Sequence, residues 1–336
     1  MALLQISKKS RLITRTLADD GKALGMDFDE VFSTTKIENR KPAMKKMTTL
    51  EQYKPTNKLC RRIRNTVLYI LDQHVYDSNM LSDNCLKNCS EQSLIIKFWS
   101  YAFEQLLGSG SDVFLQWGDT LSSQAKDIGA VSRLDLRIII YNQTADIEAS
   151  TGEFANHNTI NKSKLYGDRL KSVLASKVHL NYLLSSMKSL SGNDVKTIKL
   201  PVIQVMGLSC YVYSLCLVDQ RLYYLRNVCE FTYPRTFQQL KNGVLDKFIG
   251  GLLKIRGMLS DVKWAMGNYN RNTSNNMKNI LEEKKKSPTF STINLSHWTT
   301  PLIPIGSSNS GDVDNAGTIG NSNNNNDDDD DDDDDD

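Results

Sequence analysis

Residues 131–156 read VSRLDLRIIIYNQTADIEASTGEFAN, and the reading of this stretch decides the fold. Leu134, Leu136, Ile138 and Ile140 alternate with Arg133, Asp135 and Arg137, the two-residue period of a strand with one apolar face. After a turn at Asn142–Ala145, residues 147–155 read as a second strand in which Glu153 shares a face with Thr151 and Ala155. If the two form a hairpin, Asp135 and Glu153 approach one another on adjacent strands of one sheet.

Working outward, Val113–Trp117 predicts a strand before this pair and Lys164–Met187 a long helix after it. The helix carries Leu170, Val173, Leu174, Lys177, Asn181 and Leu184 along one side, and that side is expected to face the sheet. Lys177 would then point at the sheet, with Lys162, Lys164 and Lys171 less well placed. Upstream, Asn57–Val75 is amphipathic through Leu59, Ile63, Val67, Ile70 and Leu71. A helix beginning at Ser90, a fair N-cap, has Leu94, Ile95, Phe98, Tyr101, Ala102 and Leu106 as its stripe. Glu91 lies in its first turn, where the helix dipole also favours a carboxylate. Downstream, Val202–Met206, Ser209–Val218 and Leu222–Phe231 read as strands, and Thr236–Met266 as helix with a bend at Gly250 and Gly251. The expected class is α/β, a mixed central sheet flanked by helices with helical N-terminal and C-terminal additions.

Three segments are expected: a weakly ordered basic stretch over 1–50, an α/β domain over 51–266, and an Asn/Ser-rich, poly-Asp tail over 267–336 whose composition predicts disorder. The formal charge of the 336 residues is +2, and ten negative charges sit in Asp327–Asp336, so residues 1–326 carry +12. A basic body attracts polyanions, which makes nucleic acid a candidate partner, and the same charge also serves plain solubility. The clusters at Lys8–Lys9, Arg40–Lys46 and Cys60–Arg64 read either as nuclear-import or as phosphate-contact patches. No apolar run approaches a membrane span and no secretory leader is apparent, so an intracellular location is expected. The six cysteines include three in strand-like runs. Cys85 and Cys89 lack the spacing and partners of a zinc site. None of the four histidines stands near a Ser or Cys in a recognisable nucleophile setting, and GSGS at Gly108 lacks the lysine of a phosphate loop.

The order helix with Glu91, strand through Trp117, strand with Asp135, strand with Glu153, helix, then further strands resembles the PD-(D/E)xK nuclease superfamily over roughly residues 80 to 232. The chain also resembles a fungal protein family with the arrangement Ser90-Glu91, Trp117, Arg133-Leu134-Asp135 and Gly152-Glu153, from which no activity carries over. The superfamily resemblance implies a restriction-endonuclease-like core with Mg²⁺ held by Asp135 and Glu153, Glu91 contributing. It also implies a lysine two residues beyond Glu153, but that position is Ala155. Lys177 is the expected replacement. Two functions follow: a divergent metal-dependent nuclease, or a non-catalytic platform that keeps the fold and binds nucleic acid or protein.

Overall fold

The computed structural model describes residues 32–55, 57–108, 112–122, 124, 126, 133–141, 146–156, 162–187, 190–282 and 294–300. The protein is α/β, with six strands in one mixed sheet flanked by helices. The strands are β1 (Val113–Leu121), β2 (Arg133–Ile140), β3 (Ile147–Ala155), β4 (Leu200–Met206), β5 (Ser209–Asp219) and β6 (Leu222–Thr232), and they lie in the sheet in chain order. All neighbours are antiparallel except β3 and β4, which are parallel. A parallel pair needs a crossover, and the chain between these two strands contains the helices Lys162–Ser185 and Gly192–Thr197.

In chain order the helices are α1 (Arg40–Gln52), α2 (Lys58–Val75), α3 (Asp83–Asn88), α4 (Glu91–Leu94), α5 (Ser100–Leu106), α6 (Lys162–Ser185), α7 (Gly192–Thr197), α8 (Phe237–Lys241), α9 (Val244–Glu282) and α10 (Leu295–Trp298). Between α4 and α5, Ile95–Trp99 form a π turn. Widening a helix frees a carbonyl that needs another donor. The Lys97 carbonyl accepts from Tyr69 Oη at 2.8 Å and Gln73 Nε2 at 2.9 Å, both on α2. Ser90 caps α4 as its chemistry predicts, its Oγ accepting from Ser93 N at 3.1 Å.

One sheet face is apolar. Leu134, Leu136, Ile138 and Ile140 are all fully buried there, as the alternation requires. Phe154 of β3 and Trp117 of β1 meet Phe103 of α5 at ring separations of 6.2 and 5.9 Å. Trp99 packs among Phe103, Phe231, Tyr233 and Phe248, and its indole N–H donates to the Gly207 carbonyl at 3.0 Å. The other face lies under α6, which packs on β3, β4 and β5. With helices on both sides, β3 is buried along its whole length.

Four expectations change. Within 1–50, expected to be weakly ordered, residues 40–52 form α1, whose Asn39 cap accepts from Lys41 N and whose Ala43, Met47 and Leu50 are buried. The basic cluster at 40–46 is therefore the start of a helix, while the helix read near Arg11–Leu24 lies outside the described residues. Gly250 and Gly251 make no bend, since α9 continues through them. A Cβ on Gly251 would sit 2.0 Å from the Phe231 ring, so the glycine is there for close approach. Order also continues past 266: α9 extends to Glu282, Trp298 is buried, and its carbonyl accepts from Arg221 N at 2.8 Å. The turn at Asn142–Ala145 and the poly-Asp run lie outside the described residues.

Candidate active site

β2 and β3 are adjacent antiparallel strands, with Leu136 opposite Gly152 and Arg137 opposite Thr151. Gly152 is needed for packing: a Cβ there would meet the Leu136 Cβ at 3.0 Å. Glu153 therefore follows a mid-strand glycine, not a turn. Beside Asp135, β1 is irregular. Trp117 pairs with Leu136 but Thr120 with Leu134, so one extra residue bulges between them, with Gly118 at φ +96°. That backbone conformation is open to glycine and strained for other residues. The bulge parts the strands next to Asp135 and opens a cleft of about 400 Å³ lined by Glu91, Gln92, Asp119, Asp135 and Asn156.

Asp135 Oδ2 accepts from the backbone N–H of Phe154 at 2.8 Å, which fixes it beside Glu153. The arginines on either side of it in β2 pair elsewhere: Arg133 faces Asp119, and Arg137 pairs with Glu148. Glu153 is 3% exposed, and its Oε2 accepts from Lys171 Nζ at 2.9 Å, while its Oε1 is buried with no hydrogen-bond partner among the described residues. Lys164 pairs with Glu91, so the helix α4 and the helix α6 meet across the cleft. Lys164, Asp168 and Lys171 follow at steps of four and three, along one flank of α6.

Burial and crowding of like charge govern the electrostatics. Burial raises Glu153, Asp135 adds to this, Lys171 opposes it, and the result is a carboxyl pushed up to about 8. Asp135 is also raised, by burial first and then by Glu91 and Asp168, against the Phe154 N–H and Lys171. Asp168 is raised by burial despite Lys164 and Lys171. Such clusters of perturbed carboxyls beside cations are common at functional sites.

The structure thus brings together Glu91, Asp135 and Glu153 and excludes Lys177. The Lys177 ammonium lies 5.0 Å from the centre of the Tyr223 ring, and burial lowers its pKa. The cation at Glu153 is Lys171, and the reason is the rotation of α6. The helix was expected to turn an apolar stripe to the sheet, yet Leu170 is 43% exposed, while Ser172, Ser176 and His179 are buried. They meet a polar strip. Ser176 Oγ lies 2.9 Å from Thr151 Oγ1, and His179 Nε2 lies 3.1 Å from both Glu148 Oε2 and Ser122 Oγ. Gln204 on β4, next to Glu153 in register, donates to the Leu165 carbonyl at 3.0 Å and accepts from Arg169 Nε at 3.2 Å, pinning the opposite flank of the helix.

Sequence reasoning also missed the Ser122–His179–Glu148 contact. It is not a nucleophile relay. A relay needs the hydroxyl and the carboxylate on opposite ring nitrogens, and here both face Nε2, Nδ1 has no partner among the described residues, and Ser122 is fully buried. Glu148 is raised by burial but lowered more by His179 and Arg137, so it stays ionised as a structural counter-ion.

Fold and site together define a mixed α/β protein with a lysine-capped carboxylate cluster at a bulge in the sheet. No protein-family model, curated protein or solved structure matches the chain.

Proposed function

We propose that Asp135 and Glu153 form the centre of a divergent, metal-dependent phosphodiester-cleaving site, in which Lys171 takes the place left vacant at Ala155. The observation that carries this reading is the 2.9 Å contact of Lys171 Nζ with Glu153 Oε2, beside an Asp135 fixed from the neighbouring strand. The element order supports the reading: a helix bearing Glu91, three antiparallel strands, a crossover helix and a strand parallel to the third, the order that the resemblance to a restriction-endonuclease-like core implies. Here the lysine comes from the helix and not from the strand.

The donor chemistry suits Mg²⁺. Among the described residues no three His, Cys, Asp or Glu side chains stand together as a metal cage. Mg²⁺, however, commonly takes one or two carboxylates, with water and substrate phosphate completing its shell. Asp135 and the unpartnered Oε1 of Glu153 are the oxygens that would hold it. When bound, such an ion supplies charge neutralisation and a water of lowered pKa. The chain's own part is to hold Asp135 at the cleft with Glu153 buried beside it, and to set the Lys171 and Lys164 ammonium groups where a phosphate's negative charge would lie. Glu153 must release its proton to act as a ligand, so metal affinity should rise with pH up to about 8.

The second reading, a platform that binds nucleic acid without cutting it, draws on one observation: both lysines are already paired with the site's own carboxylates. An intracellular setting belongs to either reading. Among the described residues no helix is long and apolar enough to cross a membrane. Incubation with Mg²⁺ or Mn²⁺ and single- or double-stranded DNA and RNA separates them. Cleavage should occur and should fall about a hundredfold or more in Asp135→Asn and in Lys171→Met, with Lys177→Met active. No cleavage, together with no metal binding by calorimetry, leaves the platform.

A further inference from the structure

Along the sheet from the carboxylates, a second groove of about 320 Å³ opens, lined among others by Phe114, Gln116, Lys126, Arg137, Tyr141 and Glu148. Phe114 lies opposite Ile139 and Gln116 opposite Arg137, so all four share a face. By the two-residue period of β2 it is the face that carries Asp135. Asp135 and Ile139 are about 13 Å apart along the strand. The groove thus continues the same strip of sheet that holds the cleft, with Phe114 and Gln116 of β1 and Arg137 of β2 on one side and Glu148 of β3 on the other.

The groove has an aromatic wall and a polar floor. The Phe114 and Tyr141 rings are stacked, with centres 6.0 Å apart and planes 29° from parallel, and each residue is 43% exposed. Large aromatic faces left in water on a sheet are costly unless something covers them. The floor is rigid: Arg137 donates from Nε to Thr120 Oγ1 at 2.9 Å and from Nη1 to Glu148 Oε1 at 2.8 Å, and Arg137 and Glu148 are both buried. Besides Arg137 and Lys126, the lining holds the carboxylates of Asp146 and Glu148 and the amide of Gln116. Carboxylates repel a phosphate, yet they accept hydrogen bonds from a base's amino and imino groups, and an amide offers both a donor and an acceptor. An aromatic wall over such a floor suits a flat, hydrogen-bonding ring.

We propose that this groove is a nucleobase subsite, in which a base of a single-stranded DNA or RNA stacks on the Phe114–Tyr141 pair while its backbone runs towards Asp135 and Glu153. The inference rests on the nucleic-acid reading above and narrows it to unpaired strands. A base held in a duplex has its faces stacked on its neighbours and cannot offer one to the wall. The basic body, +12 over residues 1–326 once the ten Asp of 327–336 are set apart, supplies the attraction that is independent of sequence.

The test is fluorescence anisotropy in EDTA with short labelled single-stranded DNA and RNA oligonucleotides and the matching duplexes. The full chain should bind at least one of the single strands about tenfold tighter than its duplex. Phe114→Ala and Tyr141→Ala should each weaken that binding about tenfold and leave duplex binding within about twofold. Tyr141→Trp, which keeps a stacking face, should retain single-strand affinity. Equal affinity for duplex, or single-strand binding indifferent to both alanine variants, overturns the subsite. The metal-site reading is judged separately: it fails if calorimetry finds no Mn²⁺ binding to the wild type, whatever the anisotropy shows.

Discussion

The two faces of the central sheet are built on opposite terms. On one, Leu134, Leu136, Ile138, Phe154 and Trp117 meet Phe103, Trp99 and Phe248, and burial of apolar surface stabilises the fold. On the other, Arg137, Glu148, Thr151, Glu153 and Gln204 are buried beneath Ser172, Ser176 and His179 of α6. Burying charge costs stability unless every group is satisfied, and here Glu153 Oε1 and His179 Nδ1 have no hydrogen-bond partner among the described residues. A fold needing only stability would put leucines on both faces. The difference teaches that the face under α6 is held at a cost that the apolar face offsets.

The largest expected effect breaks the apolar side. Phe103→Ala removes a ring that touches Trp99, Trp117 and Phe154, and it should cost about 3–5 kcal/mol in urea unfolding. A loss under about 1 kcal/mol would show that this face does not carry the stability.

An intermediate effect of opposite sign sharpens the contrast at Glu153. Its folded value of about 8 lies above its ordinary 4.5, so the native state binds the proton more tightly than the unfolded chain. Its contribution to stability therefore declines as pH rises from about 4.5 to about 8 and is flat above. Glu153→Gln should stabilise the protein by roughly 1–3 kcal/mol at pH 8, and by clearly less at pH 5. Equal effects at the two pH values would mean that the carboxyl is not perturbed in the fold.

The smallest effect belongs to Lys177. Its ammonium over the half-buried Tyr223 ring is a modest attraction partly offset by desolvation, so Lys177→Met should change stability by less than about 1 kcal/mol. It should also leave metal binding unaltered. A variant that lost metal binding would return Lys177 to the site and displace Lys171.

Much of the architecture was legible along the chain. Alternation in β2, the cap at Ser90, and the three β-rich runs after Met187 record local constraints, because strand and helix periods act on neighbouring residues. The pairing of Asp135 with Glu153 was legible for the same reason, since a hairpin joins strands close in sequence. The cation was not. Leu170, Val173, Leu174, Lys177, Asn181 and Leu184 form the periodic stripe, and periodicity tells which side chains share a face but not what stands opposite that face.

By itself, then, the sequence determined the strands, the main helices and their order, and that Asp135 and Glu153 lie on neighbouring strands. Only the tertiary structure decided how α6 is turned about its axis. Gln204 and Arg169 pin one flank of that helix and Ser176 and His179 settle on Thr151 and Glu148. These contacts join residues far apart in the chain, and they bring Lys171 over Glu153. The buried side of α6 is mixed: Ser172 and Ser176 meet Thr151 and His179 meets Glu148, while Leu180, Leu183 and Leu184 are buried towards its C-terminal end, so apolar periodicity alone did not fix how the helix is turned.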